Sequence, residues 1–177
     1  MNKNYPHAYI DYLVHFHGDR DYFECHEILE HYWKEHTRMD RDSIWVGWIQ
    51  LAVALYHYRR NNLTGALRTV EKAIPKFRLH EQDLPEFGIN KKLFLDRMQS
   101  LQAAIKSNTP YSSIHLPIED EALEHICIEK CTDKGFGWRT CSDLSNEMIV
   151  ERHRLRDRQD IIALRQQELK KRQQKSH

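Results

Sequence analysis

The sequence predicts an all-α fold, and two observations support this class. Apolar residues recur three and four positions apart along most of the chain, as on one face of a helix. The chain has neither a sustained apolar–polar alternation nor turn dipeptides between β-branched runs, which are the signs of strands and hairpins. We therefore expect a compact helical bundle around a buried central helix hairpin, followed by a long charged helix at the C-terminus.

The first two helices are predicted from their apolar faces and their N-termini. Residues 6–16 carry apolar side chains at helical spacing. Pro6 suits a first helical turn because it lacks only an amide hydrogen that would be unpaired there. Asp21 can cap a second helix that runs to about residue 35, with Glu24 at the capping-box position.

The third and fourth helices form the predicted central hairpin. Residues 44–56 are apolar almost throughout, so a helix over about residues 42–60 should be buried on all sides. After a tight turn, Thr64 is expected to cap a fourth helix. This helix should run to about Phe77, and Pro75 leaves the position of its end open.

The second half of the chain is predicted to contain further helices separated by loops. Asn90 should cap a fifth helix, and residues 119–131 should form a sixth. The loop of residues 108–117 contains two prolines and is the best boundary in the chain. We predict a helical core domain, a connecting segment and a charged C-terminal helix over residues 5–106, 107–141 and 142–177.

Charge is distributed unevenly along the chain. Residues 151–177 contain nine Lys and Arg and four Asp and Glu, a local net charge of +5, so the other 150 residues carry −4. An acidic-leaning body thus carries a basic C-terminal segment. The N-terminus has no apolar signal-peptide core, and no run of about 20 apolar residues is present. We therefore expect a cytoplasmic protein with no membrane partner and with reduced cysteines.

The most informative feature is a set of polar residues on the two helices that should face each other. Gln50 and His57 lie seven residues apart on one face of the buried third helix. A buried polar group without a partner costs about 1–3 kcal/mol. His26 and Glu30, one turn apart on the second helix, are the obvious partners. Our first interpretation is a structural network in which neutral His57 donates to Glu30 and Gln50 bridges to His26.

The same residues allow a divalent metal cofactor, which is the basis of an alternative, catalytic interpretation. A His and a carboxylate four residues apart on a helix can share an ion, and helix bundles build such sites from facing helices. The ligands would be His26, Glu30 and His57. Gln50 would orient a water, and Glu27, or Glu30 if it is not a ligand, would be the base of a metal-dependent hydrolase. The zinc-protease pattern HExxH is not completed, because Glu30 replaces its second His.

The cysteines give a weaker metal pattern. Cys127 and Cys131 are four residues apart and should share one helix face, whereas structural zinc sites commonly use two tight Cys-x2-Cys turns. Together with Cys141, His115 and His125 they could form a zinc site. Buried or partly exposed thiols are the favoured interpretation.

The basic C-terminal segment suggests a third interpretation, a nucleic-acid-associated protein. Arg154 and Arg158 lie four residues apart and could contact phosphates, although Asp157 and Asp160 interrupt the basic face. A half-filled coiled-coil seam at intervals of seven instead favours a helix lying on the body or on a protein partner, such as a second copy in a homodimer. Its apolar positions are Met148, Leu155, Ile162 and Leu169.

Three motifs in this order resemble a small bacterial and archaeal family catalogued as domain of unknown function number 309. They are FECHEILEHYW (residues 23–33), GWIQLAVALYH (residues 47–57) and NLTGA (residues 62–66). The resemblance covers about residues 8–80, and residues 153–158 look like the extension of Bacillus-type members. It implies a compact all-α fold on the second to fourth helices, but no activity, substrate or cofactor. The matching positions define a candidate polar site: His26, Glu27, Glu30, Trp33, Gln50 and His57.

The favoured interpretation from the sequence is a non-catalytic helical scaffold or binding protein whose polar network is structural. The metal-dependent hydrolase and the nucleic-acid-associated protein are the alternatives. The sequence names no ligand.

Overall fold

The computed structural model describes residues 3–174, apart from the side chains at positions 157, 158, 161, 168 and 172–174. Within this range the single β-type pairing is an antiparallel bridge between Ile89 and Ile118. The all-α prediction is therefore confirmed. The helices are, in chain order, α1 (His7–His17), α2 (Tyr22–His36), α3 (Ile44–Arg59), α4 (Leu63–Leu79), α5 (Lys91–Lys106), α6 (Glu121–Asp133), α7 (Glu147–Val150) and α8 (Arg152–Gln174). A 3-10 turn at Leu84–Phe87 joins α4 to α5.

Side-chain caps determine where several helices begin. Asp21 and Asn90 cap α2 and α5 as predicted, each accepting from the backbone three residues further on at 3.0 Å. The prediction that Thr64 caps α4 is wrong. Asn62 does so, because its Oδ1 lies 3.0 Å from the amide of Gly65. Pro75 lies inside α4 and is exposed, and the helix continues past it to Leu79.

The central hairpin packs closely at a glycine. α3 contacts both α2 and α4. A Cβ added at Gly47 of α3 would lie 3.2 Å from the ring of Phe77 on α4. The Phe77 ring is itself held between Trp48 and Phe94, with ring centroids 4.9 and 4.7 Å away. Because Gly47 has no side chain, the Phe77 ring of α4 can pack close to α3 at this position.

α3 is not buried on all sides, which corrects the sequence prediction. A stripe of half-buried residues follows one face of the helix into its C-cap at intervals of three and four. Gln50 and His57 both lie on this stripe, so they are at the edge of the core and not within it. The stripe consists of Val46, Gln50, Val53, His57 and Arg60.

The chain after α5 packs on the same core as the first five helices. α6 lies against α1. Several side chains from residues 107–133 are fully or nearly fully buried in the core cluster: Leu116, Leu123, Cys127 and Cys131. The connecting segment and the preceding helices therefore share one hydrophobic core.

A buried arginine forms hydrogen bonds between the first helices and the part of the chain that follows α5. Arg20, between α1 and α2, is fully buried. Its Nε and Nη1 donate to the carbonyl oxygens of Thr140 (2.8 Å) and Ile114 (2.6 Å), and its Nη2 lies 3.0 Å from Nδ1 of His115. None of these three partners is a carboxylate. Two backbone carbonyl groups, each more than 90 residues further along the chain, thus accept hydrogen bonds from the buried Arg20 guanidinium.

Among the helices of residues 3–174, none combines the length and the apolar character that a membrane crossing requires.

Candidate functional site

A cavity of about 230 Å³ lies where α2, α3 and the start of α8 meet. It brings together three histidines from three different helices. His26 and His57 are two of the residues predicted from the sequence, and His153 comes from α8. The lining residues are Tyr22, Phe23, His26, Val53, Tyr56, His57, Arg60 and His153.

The beginning of α8 closes one side of this cavity. Glu151 accepts from Nε and Nη2 of Arg60 at 3.0 and 2.9 Å. The backbone amide of His153 donates to the hydroxyl of Tyr56 at 3.1 Å, and the His153 ring packs against Phe23 with centroids 5.5 Å apart. The cavity is thus walled by side chains that are distant in sequence.

Basic side chains of α8 meet the acidic side of α2. Arg152 contacts the buried carboxylate of Asp21 and lies 3.4 Å from Glu24. Arg156 bonds to Glu27 at 3.0 Å. Burial raises the pKa of Asp21, although the amide of Glu24 and the guanidinium of Arg152 act in the opposite direction. These contacts hold the first two turns of α8 on the body.

The predicted nucleic-acid residues lie on this same helix. Arg154 is exposed. The side chain of Arg158 lies outside the described residues. Binding of phosphates by these two arginines therefore stays a prediction.

A second polar group lies beside the cavity on α2. Nε2 of His26 lies 3.0 Å from Glu30, and its Nδ1 lies 3.4 Å from Glu27. Lys34 bonds to Glu30 at 2.7 Å, and this hydrogen bond lowers the pKa of Glu30, with His26 acting in the same direction. Among the described side chains, His26, Glu27 and Glu30 are the one group of three potential metal ligands whose ligand atoms all lie within 4.8 Å of one another.

His57 has a different partner from the one predicted. Its Nδ1 lies 3.1 Å from Nδ2 of Asn62, a donor, so Nδ1 accepts and the ring is neutral. Burial lowers the pKa of His57, and the electrostatic effects of Arg60 and His153 lower it further. His57 lines the cavity with His26, but it does not belong to the group of close metal ligands.

Gln50 and Trp33 lie outside the cavity wall described here. Oε1 of Gln50 is buried and has no hydrogen-bond partner among the described atoms, so the expected bridge to His26 is not formed. Nε1 of Trp33 donates to the carbonyl of Asp40 at 2.7 Å. Trp33 therefore fastens the loop between α2 and α3.

Among the described side chains, the cysteines do not belong to a group of three close potential metal ligands. Burial raises the pKa of Cys127 to about 12 and that of Cys131 to about 11. Both thiols are enclosed by the core, whereas Cys141 is exposed. His125 pairs with Glu129 on its own helix at 3.2 Å. The burial of Cys127 and Cys131 agrees with the interpretation of these residues as buried or partly exposed thiols.

Sequence reasoning missed two polar residues of the cavity. Arg60 follows His57 by three positions, so extending the helical stripe of Gln50 and His57 by one turn would have found it. His153 enters the site only because α8 folds back onto α2 and α3. No local signal in the sequence reveals that contact.

Comparison with known proteins identifies the family. Residues 9–69 match the sequence model of a family described as "Domain of unknown function (DUF309)". The chain is 48% identical to the uncharacterized protein YpuF of Bacillus subtilis (strain 168) over 168 residues, which is 95% of this chain and 97% of the relative. The chain belongs to the DUF309 family. The resemblance drawn from the three motifs is therefore confirmed.

The match to the DUF309 model includes His26, His57 and Arg60 but ends well before His153. No solved structure matches the chain.

Proposed function

We propose that the protein is a non-catalytic binding protein that takes a small ligand in the cavity under the start of α8. The helical body acts as the scaffold, and the charged C-terminal helix contributes one wall. The observation that carries this proposal is the cavity itself, where imidazole and guanidinium groups converge on an otherwise apolar, mainly aromatic surface. A concave, mainly apolar pocket with a few converging polar groups is the usual form of a small-molecule site.

The lining residues favour binding over catalysis. Among the described residues of the wall, none is a carboxylate or a thiol, so the wall itself lacks a strong nucleophile, and its histidines are the groups that could act as bases. The hydroxyl of Tyr56 accepts from the amide of His153, and the hydroxyl of Tyr22 bonds to that of Tyr111 at 2.6 Å. Both phenols are thus engaged in holding the structure.

A fragment screen by NMR tests this proposal. Ligands should shift resonances of Phe23 and His57 in the wild type. Val53→Phe should abolish these shifts by filling the cavity, because Val53 lines it. The matched control is Val46→Phe, on the same half-buried stripe of α3 but away from the cavity wall, and it should keep the binding. Absence of any fragment that distinguishes the two variants would contradict the proposal.

The second candidate function is a metal-dependent hydrolase, and the grouping of His26, Glu27 and Glu30 favours it. One imidazole and two carboxylates are suitable ligands for zinc or manganese, and three protein ligands leave positions for water and substrate. An ion would have to displace Lys34 from Glu30 and Arg156 from Glu27. The ligand set of this candidate is His26, Glu27 and Glu30, since His57 is not in the group of close ligand atoms.

Elemental analysis distinguishes the two functions. The protein is purified without a His-tag and without chelators, beside His26→Ala and the control His31→Ala. His31 is an exposed residue on the same helix. Near-stoichiometric zinc, manganese or iron that is lost only in His26→Ala would support the hydrolase. Protein free of metal in all three preparations would exclude this candidate and leave the binding protein.

A further inference from the structure

We infer that the cavity under α8 binds a single-ring aromatic carboxylate. This inference rests on the proposed binding function and adds the chemical class of the ligand. The size of the cavity sets the first limit. An apolar cavity of about 150 Å³ is known to hold benzene. At about 230 Å³, this cavity accommodates one ring together with a carboxyl group.

The walls favour an aromatic body. Phe23 and Tyr56 contribute rings whose centroids lie 6.2 Å apart, and Tyr22 and Val53 complete the apolar surface. The hydroxyl groups of both tyrosines bond to other parts of the protein. Their contribution to the cavity is therefore the ring surface, which packs best against another ring.

One part of the wall favours a carboxylate. The guanidinium of Arg60 lies 5.2 Å from the centre of the Tyr56 ring and binds a carboxylate already, that of Glu151. Both of its described bonds go to a single oxygen of Glu151. The Glu151 carboxylate is partly exposed, so a ligand carboxylate can replace it at low cost. A guanidinium is also the side chain best suited to a planar carboxylate, because it offers two parallel donors.

His57 strengthens the preference for an anion. Because its Nδ1 accepts from Asn62, its proton lies on Nε2, which is a donor. Arg60 is a permanent cation, so it disfavours an amine in the cavity. Phosphate has the charge but no apolar body to cover the aromatic wall. The combination of ring and carboxylate satisfies both parts of the site.

Calorimetric titration of the full chain tests the inference with benzoate, its neutral isostere benzamide, and inorganic phosphate. We expect benzoate to bind at least tenfold more tightly than benzamide, and phosphate not to compete. Arg60→Gln should reduce the ratio of benzoate to benzamide affinity to near one. The control Arg68→Gln, at an exposed position on α4, should keep the wild-type ratio. Glu151→Gln should strengthen benzoate binding several-fold, because it weakens the internal competitor for Arg60.

The outcomes separate the inference from the proposed function. Equal affinity for benzoate and benzamide would overturn the inference that the ligand carries a carboxylate. Competition by phosphate would overturn the inference that it has an aromatic body. Unchanged or weaker benzoate binding in Glu151→Gln would also overturn the inference, and it does not depend on how Arg60→Gln folds. If fragments bind in the cavity but none is an aromatic acid, the inference fails and the binding function stands. If no fragment binds there, both fail.

Discussion

Asn62 connects the start of α4 to the imidazole of His57. Its Oδ1 accepts from the amide of Gly65 at 3.0 Å, and its Nδ2 lies 3.1 Å from Nδ1 of His57. Because the cap fixes which end of the carboxamide faces His57, the ring must present a lone pair at Nδ1. One side chain thus determines both the beginning of a helix and the tautomer of a cavity residue.

Asn62→Asp should raise the pKa of His57. Aspartate is as good a cap as asparagine, so α4 should keep its start. Its second oxygen would accept a hydrogen bond from a protonated Nδ1 and stabilise the imidazolium, whereas the wild-type amide opposes it. An NMR titration of the His57 ring protons measures the change. Asn90→Asp, at the cap of α5, is the control and should leave the titration of His57 as in the wild type. An unchanged or lower pKa in Asn62→Asp would show that the amide does not set the tautomer.

His17 should make the protein less stable in mild acid. The ring is fully buried: Nδ1 donates to the carbonyl of Leu13 at 3.1 Å, and Nε2 accepts from the amide of Leu116 at 3.0 Å. Burial lowers its pKa well below the ordinary value of 6.5, and Arg20 lowers it further. Below about pH 6.5 the unfolded chain therefore binds a proton that the folded chain does not, and the free energy of unfolding falls with the pH.

Urea unfolding at pH 7.5 and pH 5.0 measures this effect. His17→Gln should lose less stability between the two pH values than the wild type, whereas the exposed control His31→Gln should lose as much. His57 and His115, whose pKa values are also lowered, contribute in the same direction as His17. His15, whose pKa is raised beside Asp19, opposes them. Equal losses in wild type and His17→Gln would rule out His17 as the source.

Arg152→Ala should loosen the beginning of α8. It removes the guanidinium that contacts Asp21 and Glu24 and leaves the buried Asp21 carboxylate without this partner. A loss of about 1–2 kcal/mol is expected, at the lower end for a charged hydrogen bond because Arg152 is partly exposed. Hydrogen exchange should become faster at residues 151–156. Arg154→Ala, an exposed neighbour, is the control, and equal exchange in the two variants would contradict the assignment.

Gly47→Ala should destabilise the hairpin of α3 and α4. Alanine is the better helix former by about 1 kcal/mol, but its Cβ would lie 3.2 Å from the Phe77 ring. That ring is packed between two aromatic neighbours, so we expect overpacking to outweigh the propensity and cost a net 1–2 kcal/mol or so. Phe77→Leu in the same chain should relieve part of the cost, which a double-mutant cycle of urea unfolding measures. Additive effects would mean that the two residues do not compete for the same space.

Helix positions were largely predictable because their signals are local. Asp21 and Asn90 cap the helices that they were predicted to cap, since an N-cap bonds to an amide only two or three residues away. α3 was harder to interpret. Its sequence is apolar all round, yet Val46 and Val53 lie on a half-buried face. The type of a residue shows whether its side chain can be buried, but the elements packed against the helix determine how much of that side chain is buried.

The candidate site was predictable only in part, for a related reason. His26 and His57 stood out as polar residues beside apolar helix faces, and they do line one cavity. The predicted bond between His57 and Glu30 is absent because each residue has a local partner. Asn62 is five residues from His57, and Lys34 is four residues from Glu30. The sequence shows which polar side chains need a hydrogen-bond partner, but it does not show which of several nearby groups forms the bond.

The contacts of Arg20 bear on how the chain is made. During synthesis the ribosome releases Arg20 long before Ile114 and Thr140, whose carbonyl oxygens receive its guanidinium. Until those residues arrive, the first helices cannot enclose this cation with its native partners, and burying it alone would be costly. Closure of the body therefore has to wait for the later part of the chain. The family model matches residues 9–69, whereas the helical body cannot close around Arg20 until the chain has been made as far as Thr140.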